Sequence, residues 1–229
     1  MNWPVQSNYS QLCRLLPPYD YAKVVELGAR DCVDTMWLQR FFECEIISWE
    51  CNPEAIEKCK DTIASLERIK VWAGLDYSYF MSDRFDLVEK AAWSETKTLT
   101  FRPVTNGNLG ASSVFTANPE YPYETYEQDE IEVEAMRLDE WWGHSQHWDE
   151  PIDLLVMDIQ GAELEALKGA GELLHDVEAI ITEGQTKPIY EGVGLIDEIT
   201  SYLKGYGLVL SAAIQSNDWF GDYLFVREH

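Results

Sequence analysis

The chain has 229 residues, enough for one α/β domain with a full core and short for two. Hydrophobic residues make up 46%, which excludes a disordered polymer, and 17 Lys+Arg against 41 Asp+Glu leave a net charge of -24. That charge repels a nucleic-acid backbone and an anionic lipid surface, so neither is expected as a partner. Met1 to Pro18 lacks the cationic-then-apolar pattern of a signal peptide, and no apolar run approaches the ~18 residues of a spanning helix. The five cysteines (13, 32, 44, 51 and 59) contain no CxxC pair and read as reduced thiols of a cytoplasmic protein. Cys44, Cys51 and Cys59 read as packing residues, because the paired spacing of zinc ligands is missing.

In chain order, residues 1–22 form an N-terminal segment with a helical turn over Gln11–Leu16, and residues 23–229 form one domain. A strand over 23–28 leads to a helix from Asp34, and a strand over 45–50 leads to a helix that Asn52 caps and Pro53 starts. Ala55, Ile56, Cys59, Ile63 and Leu66 share one face of that second helix. The region from 69 to 93 is less regular, with Phe85–Trp93 as a strand. Alternation predicts strands at Thr98–Arg102 and Ile131–Ala135, separated by a long insert over about 103–130. A short helix or turn covers Leu138–Trp142. A strand over Ile152–Met157, a helix over Ala162–Leu174, a strand over 178–182 and a helix over Leu195–Lys204 follow. Two closing strands, at Leu208–Leu210 and Tyr223–Val226, lie close enough in sequence to pair as an antiparallel edge. Strands alternating with helices predict a doubly wound, mostly parallel α/β sheet.

Several strands close on an acid: Val24-Val25-Glu26, Ile46-Ile47-Ser48-Trp49-Glu50, Leu154-Leu155-Val156-Met157-Asp158 and Ala179-Ile180-Ile181-Thr182-Glu183. Ligands of such sheets sit outside the carboxyl ends of the strands, so Glu50, Asp158 and Glu183 should face one crevice, with Glu26 just beneath. Carboxylates there suit a ligand with hydroxyls and an ammonium rather than a run of phosphates. Glu50 lies 22 residues beyond Gly28, a spacing that fits a carboxylate on a ribose diol. The dinucleotide fingerprint needs three glycines, and Arg30 and Val33 stand where the second and third belong. A ribose ligand without phosphates, S-adenosylmethionine, fits better than a nicotinamide dinucleotide. An ordinary strand-to-helix turn also explains Gly28 taken alone. Glu163 and Glu165 fall in the first turn of their helix, where the macrodipole favours anions, so neither needs a catalytic explanation.

The chain resembles the FkbM-type methyltransferases, which use S-adenosylmethionine on the class I, Rossmann-like methyltransferase fold. The matching pieces are Val24-Val25-Glu26-Leu27-Gly28-Ala29, Trp49-Glu50-Cys51-Asn52-Pro53, Ala92-Trp93-Ser94-Glu95, Gly110-Ala111-Ser112-Ser113 and Arg137-Leu138-Asp139-Glu140-Trp141. The most specific is Asp158-Ile159-Gln160-Gly161-Ala162-Glu163-Leu164-Glu165-Ala166-Leu167-Lys168-Gly169, which is similar to the family's D-x-E-G-x-E-x-x-x-L-x-G stretch. The resemblance covers about residues 22–226. It implies that the methionine part of the cofactor lies near Glu26, Gly28 and Ala29, with Asp31 of the same turn close by. It also implies that Glu50 holds the ribose, that Ala92 and Trp93 flank the adenine, and that Asp158 faces the transferred methyl. The chain departs from the family pattern at Arg30 and Cys32, where Asn and a second Gly are usual, at Val156, where Lys is frequent, and at Gln160, which replaces a Glu.

The activity so implied is O-methylation of a hydroxyl on a small molecule, sugar or natural product. Asp158 is the first candidate for the base, or for a ligand of a divalent metal that acidifies the hydroxyl, and Glu183 the second. No metal-ligand motif is present. The alternatives are an N-methyltransferase for an amine or amide, a non-catalytic relative that keeps the cofactor site, and, disfavoured by the glycines, a nicotinamide-dependent oxidoreductase. His144-Ser145-Gln146-His147 has a spacing compatible with metal but reads as a solvated loop. Tyr121, Tyr123 and Tyr126, among the acids of residues 115–130, read as a mobile lid that recognises the acceptor. The acceptor and the oligomeric state are not legible.

Overall fold

In β1 (Lys23–Leu27) the side chains of Val24 and Glu26 face one side of the sheet and those of Val25 and Leu27 the other, as the two-residue period of a strand requires. Both sides are buried, so the strand is apolar except for Lys23 at its start and Glu26. A computed structural model describes residues 8–73 and 84–229, with the side chains of residues 66–73 outside the description. α1 (Asn8–Cys13) precedes β1, and α2 (Val33–Phe42), β2 (Glu45–Trp49), α3 (Pro53–Ala73) and β3 (Phe85–Val88) follow it. After a small β region come α4 (Leu138–His144), β9 (Leu154–Met157), α5 (Glu163–Ala170), β10 (Ala179–Gln185), α6 (Ile196–Lys204), β11 (Leu208–Gln215) and β12 (Phe220–Arg227).

The main sheet runs β11-β12-β10-β9-β1-β2-β3. β3, β2, β1, β9 and β10 pair in parallel, and β12 pairs antiparallel with both β10 and β11. Val25, Ile47, Leu155, Ile180 and Phe225 pack against Leu138, Leu167 and Leu203 of α4, α5 and α6 on one face. Val24, Ile46, Val156, Ile181 and Leu224 pack against Leu12 and Leu38 of α1 and α2 on the other. This is the doubly wound sheet that the alternation predicts, and the antiparallel pair closes it as expected. Among the described residues, no helix is long and apolar enough to cross a membrane.

The intervening chain builds two smaller sheets. β4 (Ala91–Ala92), β5 (Lys97–Phe101) and β8 (Ile131–Met136) form one in the order β4-β8-β5, and β6 (Val104–Asn106) pairs with β7 (Glu127–Gln128) in the other. Three expectations are corrected here. Phe85–Trp93 is not one strand: the chain turns at Glu89–Lys90, with the Lys90 amide on the Val88 carbonyl, and passes from the main sheet to the small one. The helix expected over Ala162–Leu174 ends at Gly171, whose φ of +51° is left-handed, and a 3-10 turn completes it. His147 is not solvated. It is 3% exposed, lies beside the rings of Trp141 and Trp142, and joins a charge group at the amino ends of the strands. The parallel register sets the starts of β1 and β2 side by side, so Lys23 and Glu45 meet there. Part of the irregular stretch expected after residue 69 falls on residues 74–83, outside the described residues.

The insert is ordered by its own packing. Tyr121 is 8% exposed and joins Ile189, Tyr190 and Val193 in a satellite core, with Tyr126 and Trp219 against it. Tyr126 stacks on Tyr190, with ring centroids 6.3 Å apart, and Tyr123 stays exposed. The lid reading is corrected accordingly: Tyr121 is a packed residue, because a half-apolar ring between two others gains more by burial than in water.

Candidate functional site

The carboxyl ends of β1, β2 and β9 surround a cavity. Gly28 turns the chain out of β1 with φ of +96°, and a Cβ on it would lie 2.1 Å from the Asp158 carbonyl oxygen. Only glycine lets the ends of β1 and β9 come this close. The Gly28 and Ala29 amides bond the Trp49 carbonyl at 2.9 and 3.0 Å, which ties the turn to β2. Arg30 and Cys32, the two departures in this turn, are both left-handed, with φ of 51° and 60°. Asn or Gly adopts that conformation with less strain, which is the physical content of the departure.

Glu50 directly follows β2 and lines the cavity. Its Oε2 accepts from the Arg30 amide and its Oε1 from the Cys51 and Asn52 amides, each at 2.8 Å. Burial raises its pKa, and these three donors oppose the rise. Glu26 lies below, accepting from Ser48 at 2.7 Å and from Thr35 of α2, and burial pushes its pKa up to about 7. Asp158 directly follows β9 in the cavity wall. Its Oδ1 accepts from Gln160 Nε2 at 2.5 Å. Burial raises its pKa, while Gln160, Arg30 and the Tyr9 hydroxyl draw it down. Glu163 accepts from the Ile159 amide at 3.0 Å and is pushed up to about 7 by burial and the charge of Asp158.

The predicted residues divide. Glu26, Gly28, Ala29, Glu50, Ala92 and Asp158 line the cavity. Glu183 stands on β10 opposite Asp222 of β12, outside the lining. Burial and the charges of Asp158, Glu163 and Asp222 raise its pKa well above the usual range. Trp93 also stands outside: its carbonyl abuts α5 at Gly169, and its ring packs 5.9 Å from Phe115. Asp31 turns away to accept from the Val33 amide at 3.2 Å, and Asp34 takes the place in the wall. Cys51, expected to be a packing residue, lines the cavity, whereas Cys44 and Cys59 are buried as expected. The roof comes from the first half of the insert, Leu109, Gly110, Ser112 and Val114, rather than from the tyrosines.

Sequence reasoning missed Tyr9. α1 lies across the end of the sheet, pinned by Asn8 Nδ2 to Asp222 (2.6 Å) and Ser216 (3.1 Å). This puts Tyr9 in the cavity wall, with its hydroxyl donating to the Met157 carbonyl at 3.2 Å. No local signal marks a tyrosine in a six-residue helix as the partner of a carbonyl 148 residues later. Asp34 was legible as an acid in the first turn of α2, a position that the helix dipole explains by itself.

The opposite end of the sheet holds the one group of His and acid ligand atoms, among the described residues, close enough to share an ion: Glu45, His147 and Glu150. The ammonium of Lys23 already stands there, 2.9 Å from Glu45, 3.1 Å from His147 Nδ1 and paired with Glu150. Because an ammonium can only donate, Nδ1 accepts and the ring proton sits on Nε2, which faces Asp86 Oδ2 at 3.2 Å. Asp158 stands outside this group.

A sheet of this order, with glycine closing the first strand, an acid closing the second and a cavity over both, is that of a class I methyltransferase. The chain belongs to the methyltransferase FkbM domain family, whose profile matches residues 27–210. It is 27% identical over 195 residues to the 2-O-methyltransferase NoeI of Sinorhizobium fredii, covering 81% of this chain and 72% of that protein. The crystal structure of methyltransferase FkbM from Methylobacillus flagellatus superposes with a TM-score of 0.59 at 15% identity. That match covers 93% of this chain but only 45% of the longer protein, so the likeness concerns the fold of one part of it.

Proposed function

We propose that this protein transfers the methyl group of S-adenosylmethionine to a hydroxyl of a small-molecule or carbohydrate acceptor. The observation that carries the reading is Asp158: a carboxylate on the central strand, raised in proton affinity by burial, in the wall of a cavity whose rim holds Glu50 and Gly28. The family and the 2-O-methyltransferase relative support methyl transfer to oxygen.

The residues present fit the cofactor. Glu50 is held by three backbone amides and would accept from ribose hydroxyls. Cys51, Ala55 and Ala92 offer small, mostly apolar walls for an adenine. Trp49, also in the wall, has a buried indole Nε1 without a partner, a donor for which a ring nitrogen is a suitable acceptor. Glu26, Asp34 and Asp158 supply negative charge for a sulfonium and an ammonium. When bound, the cofactor supplies an electrophilic methyl on a sulfonium.

Asp158 would take the acceptor hydroxyl's proton as the oxygen attacks. A base works best when its pKa approaches the ambient pH, and burial moves this carboxyl that way. The fixed geometry of Gly28, Glu50 and Asp158 would bring nucleophile, methyl and leaving sulfur into line. Glu183, one strand further, is the second candidate for the base.

The test is incubation with methyl-labelled S-adenosylmethionine and hydroxylated acceptors, reading an O-methyl carbon by NMR. Asp158→Asn should cut the maximal rate by roughly a hundredfold or more and change cofactor affinity far less. Full activity in that variant would move the base to Glu183, and tight NADH binding without cofactor turnover would overturn the reading.

A further inference from the structure

Gln160 is the departure from the family stretch that lies in the site. Its backbone is left-handed, φ 53°, and its carbonyl accepts from Ser113 of the roof segment at 2.7 Å. Its side-chain amide lies between Asp158 and Tyr190. Nε2 is 2.5 Å from Asp158 Oδ1, Oε1 is 2.9 Å from the Tyr190 hydroxyl, and that hydroxyl is 2.8 Å from the Ala111 carbonyl.

Counting protons along this row gives a conflict. With Asp158 ionised, Gln160 donates to it, so Gln160 Oε1 and the Ala111 carbonyl both need the one proton of Tyr190. The two acceptors then share one proton. With Asp158 protonated and the amide turned over, each group of the row from Asp158 to Ala111 has its own partner, while Glu183 gives up the Gln160 hydrogen bond that lowers its proton affinity. Asp158 donates to Oε1, Nε2 donates to the Tyr190 oxygen, and Tyr190 donates to Ala111. The turn exchanges the positions of N and O and moves no other heavy atom.

We propose that Gln160 is a positioning residue whose amide turns over when Asp158 takes up a proton, linking the protonation of Asp158 through Tyr190 to the cavity roof at Ala111. This deepens the reading of Asp158 as base and rests on it for its catalytic consequence. The proton taken from the acceptor hydroxyl ends on Asp158 Oδ1, and the row that receives it becomes fully paired. A glutamate at 160 would instead set a second carboxylate against Asp158.

The other titratable groups around Asp158 are Tyr9 of α1, Arg30 and Asp34 of the first turn and α2, Glu50 after β2, Glu163 of α5, Glu183 of β10 and Asp222 of β12. Tyr190→Phe leaves them all in place. It takes one hydrogen bond from the ionised arrangement and two from the protonated one. The Asp158 carboxyl should therefore titrate at lower pH in this variant, with its proton affinity reduced roughly twofold to tenfold. If Tyr190 merely polarised Gln160 as a donor to an ionised Asp158, its removal would shift the titration the other way.

The experiment is a carbon-13 carboxyl titration of the cofactor-free protein, with Asp158 assigned by Asp158→Asn. The expected result is a lower midpoint in Tyr190→Phe, and no further effect of Tyr190→Phe once Gln160→Met is present. In the unsubstituted protein the Gln160 side-chain amide resonances should shift at the Asp158 midpoint, a readout that needs no variant to fold. A midpoint unchanged or raised by Tyr190→Phe, an equal fall in the Gln160→Met background, or amide resonances indifferent to Asp158 would each overturn the linkage. None of these measurements needs turnover, so their failure is distinct from failure of the methyltransferase assay.

Discussion

The two ends of the central sheet both gather acidic side chains, and they handle the charge differently. At the amino ends, Glu45 and Glu150 surround the ammonium of Lys23, which is itself 7% exposed, and His147 completes the group. At the carboxyl ends, Glu26, Glu50, Asp158, Glu163 and Asp222 rely on neutral donors: hydroxyls, backbone amides and the amides of Gln160 and Asn8. The guanidinium nearest Asp158, that of Arg30, stands largely in solvent. A charge group with its own counter-ion holds the fold together. A charge group without one stores a cost that a cationic ligand can relieve.

The strongest test of this contrast exchanges the two ends. Lys23→Met should leave two acids and a histidine without their cation. It should cost about 2–3 kcal/mol of stability, less than for a fully buried pair because Glu150 is half exposed. Cofactor affinity of the folded protein should not change. Glu50→Ala should do the reverse, weakening S-adenosylmethionine roughly tenfold to a hundredfold by calorimetry while moving the melting temperature little. If Lys23→Met weakens cofactor binding as much as Glu50→Ala, the two ends are not separate.

The pH dependence of stability sharpens the same contrast. Burial pushes Glu26 and Glu163 up to about 7 and Asp222 to about 6. A carboxyl with a raised folded-state pKa holds its proton more tightly in the folded chain than in the unfolded one. Its contribution is whole below the ordinary carboxylate range, near 4 to 4.5, and is lost as pH rises through about 7. The melting temperature of the cofactor-free protein should therefore fall by several degrees between about pH 5 and pH 8. Glu26→Gln should flatten the slope. A melting temperature that climbs over this window would mean that the carboxyl-end acids are compensated after all.

Much of this was legible before any coordinates. The strands of the main sheet, the pairing of helices with them and the antiparallel closure follow from apolar runs and turns, because each parallel strand is buried on both faces. Glu50 and Asp158 could be placed in the cavity because the carboxyl end of a strand in such a sheet is a fixed address. Residues whose position depends on long-range packing were not legible. Tyr9 reaches the site only because α1 crosses β12, and His147 is buried only because β1 and β2 start in register. Trp93 failed for the opposite reason: its neighbour Ala92 faces the cavity, and alternation then turns Trp93 toward Phe115.

The smallest effect is expected at Tyr123, and it bears on whether the carboxyl end is a fixed bowl or a closing one. Tyr121 and Tyr123 are two residues apart, yet the first is built into the satellite core and the second is 56% exposed, its hydroxyl on the exposed Asp218 at 2.7 Å. Neither lines the cavity. Tyr123→Ala should change stability by less than about 0.5 kcal/mol and leave cofactor affinity and acceptor KM alone, as surface substitutions usually do. Tyr121→Ala, by contrast, removes a buried ring and should cost roughly 3 kcal/mol. Thermal melts and acceptor kinetics on the two variants separate the cases. Should Tyr123→Ala raise the acceptor KM severalfold at an unchanged melting temperature, the segment reaches over the cavity in the loaded protein and closes it when the acceptor binds.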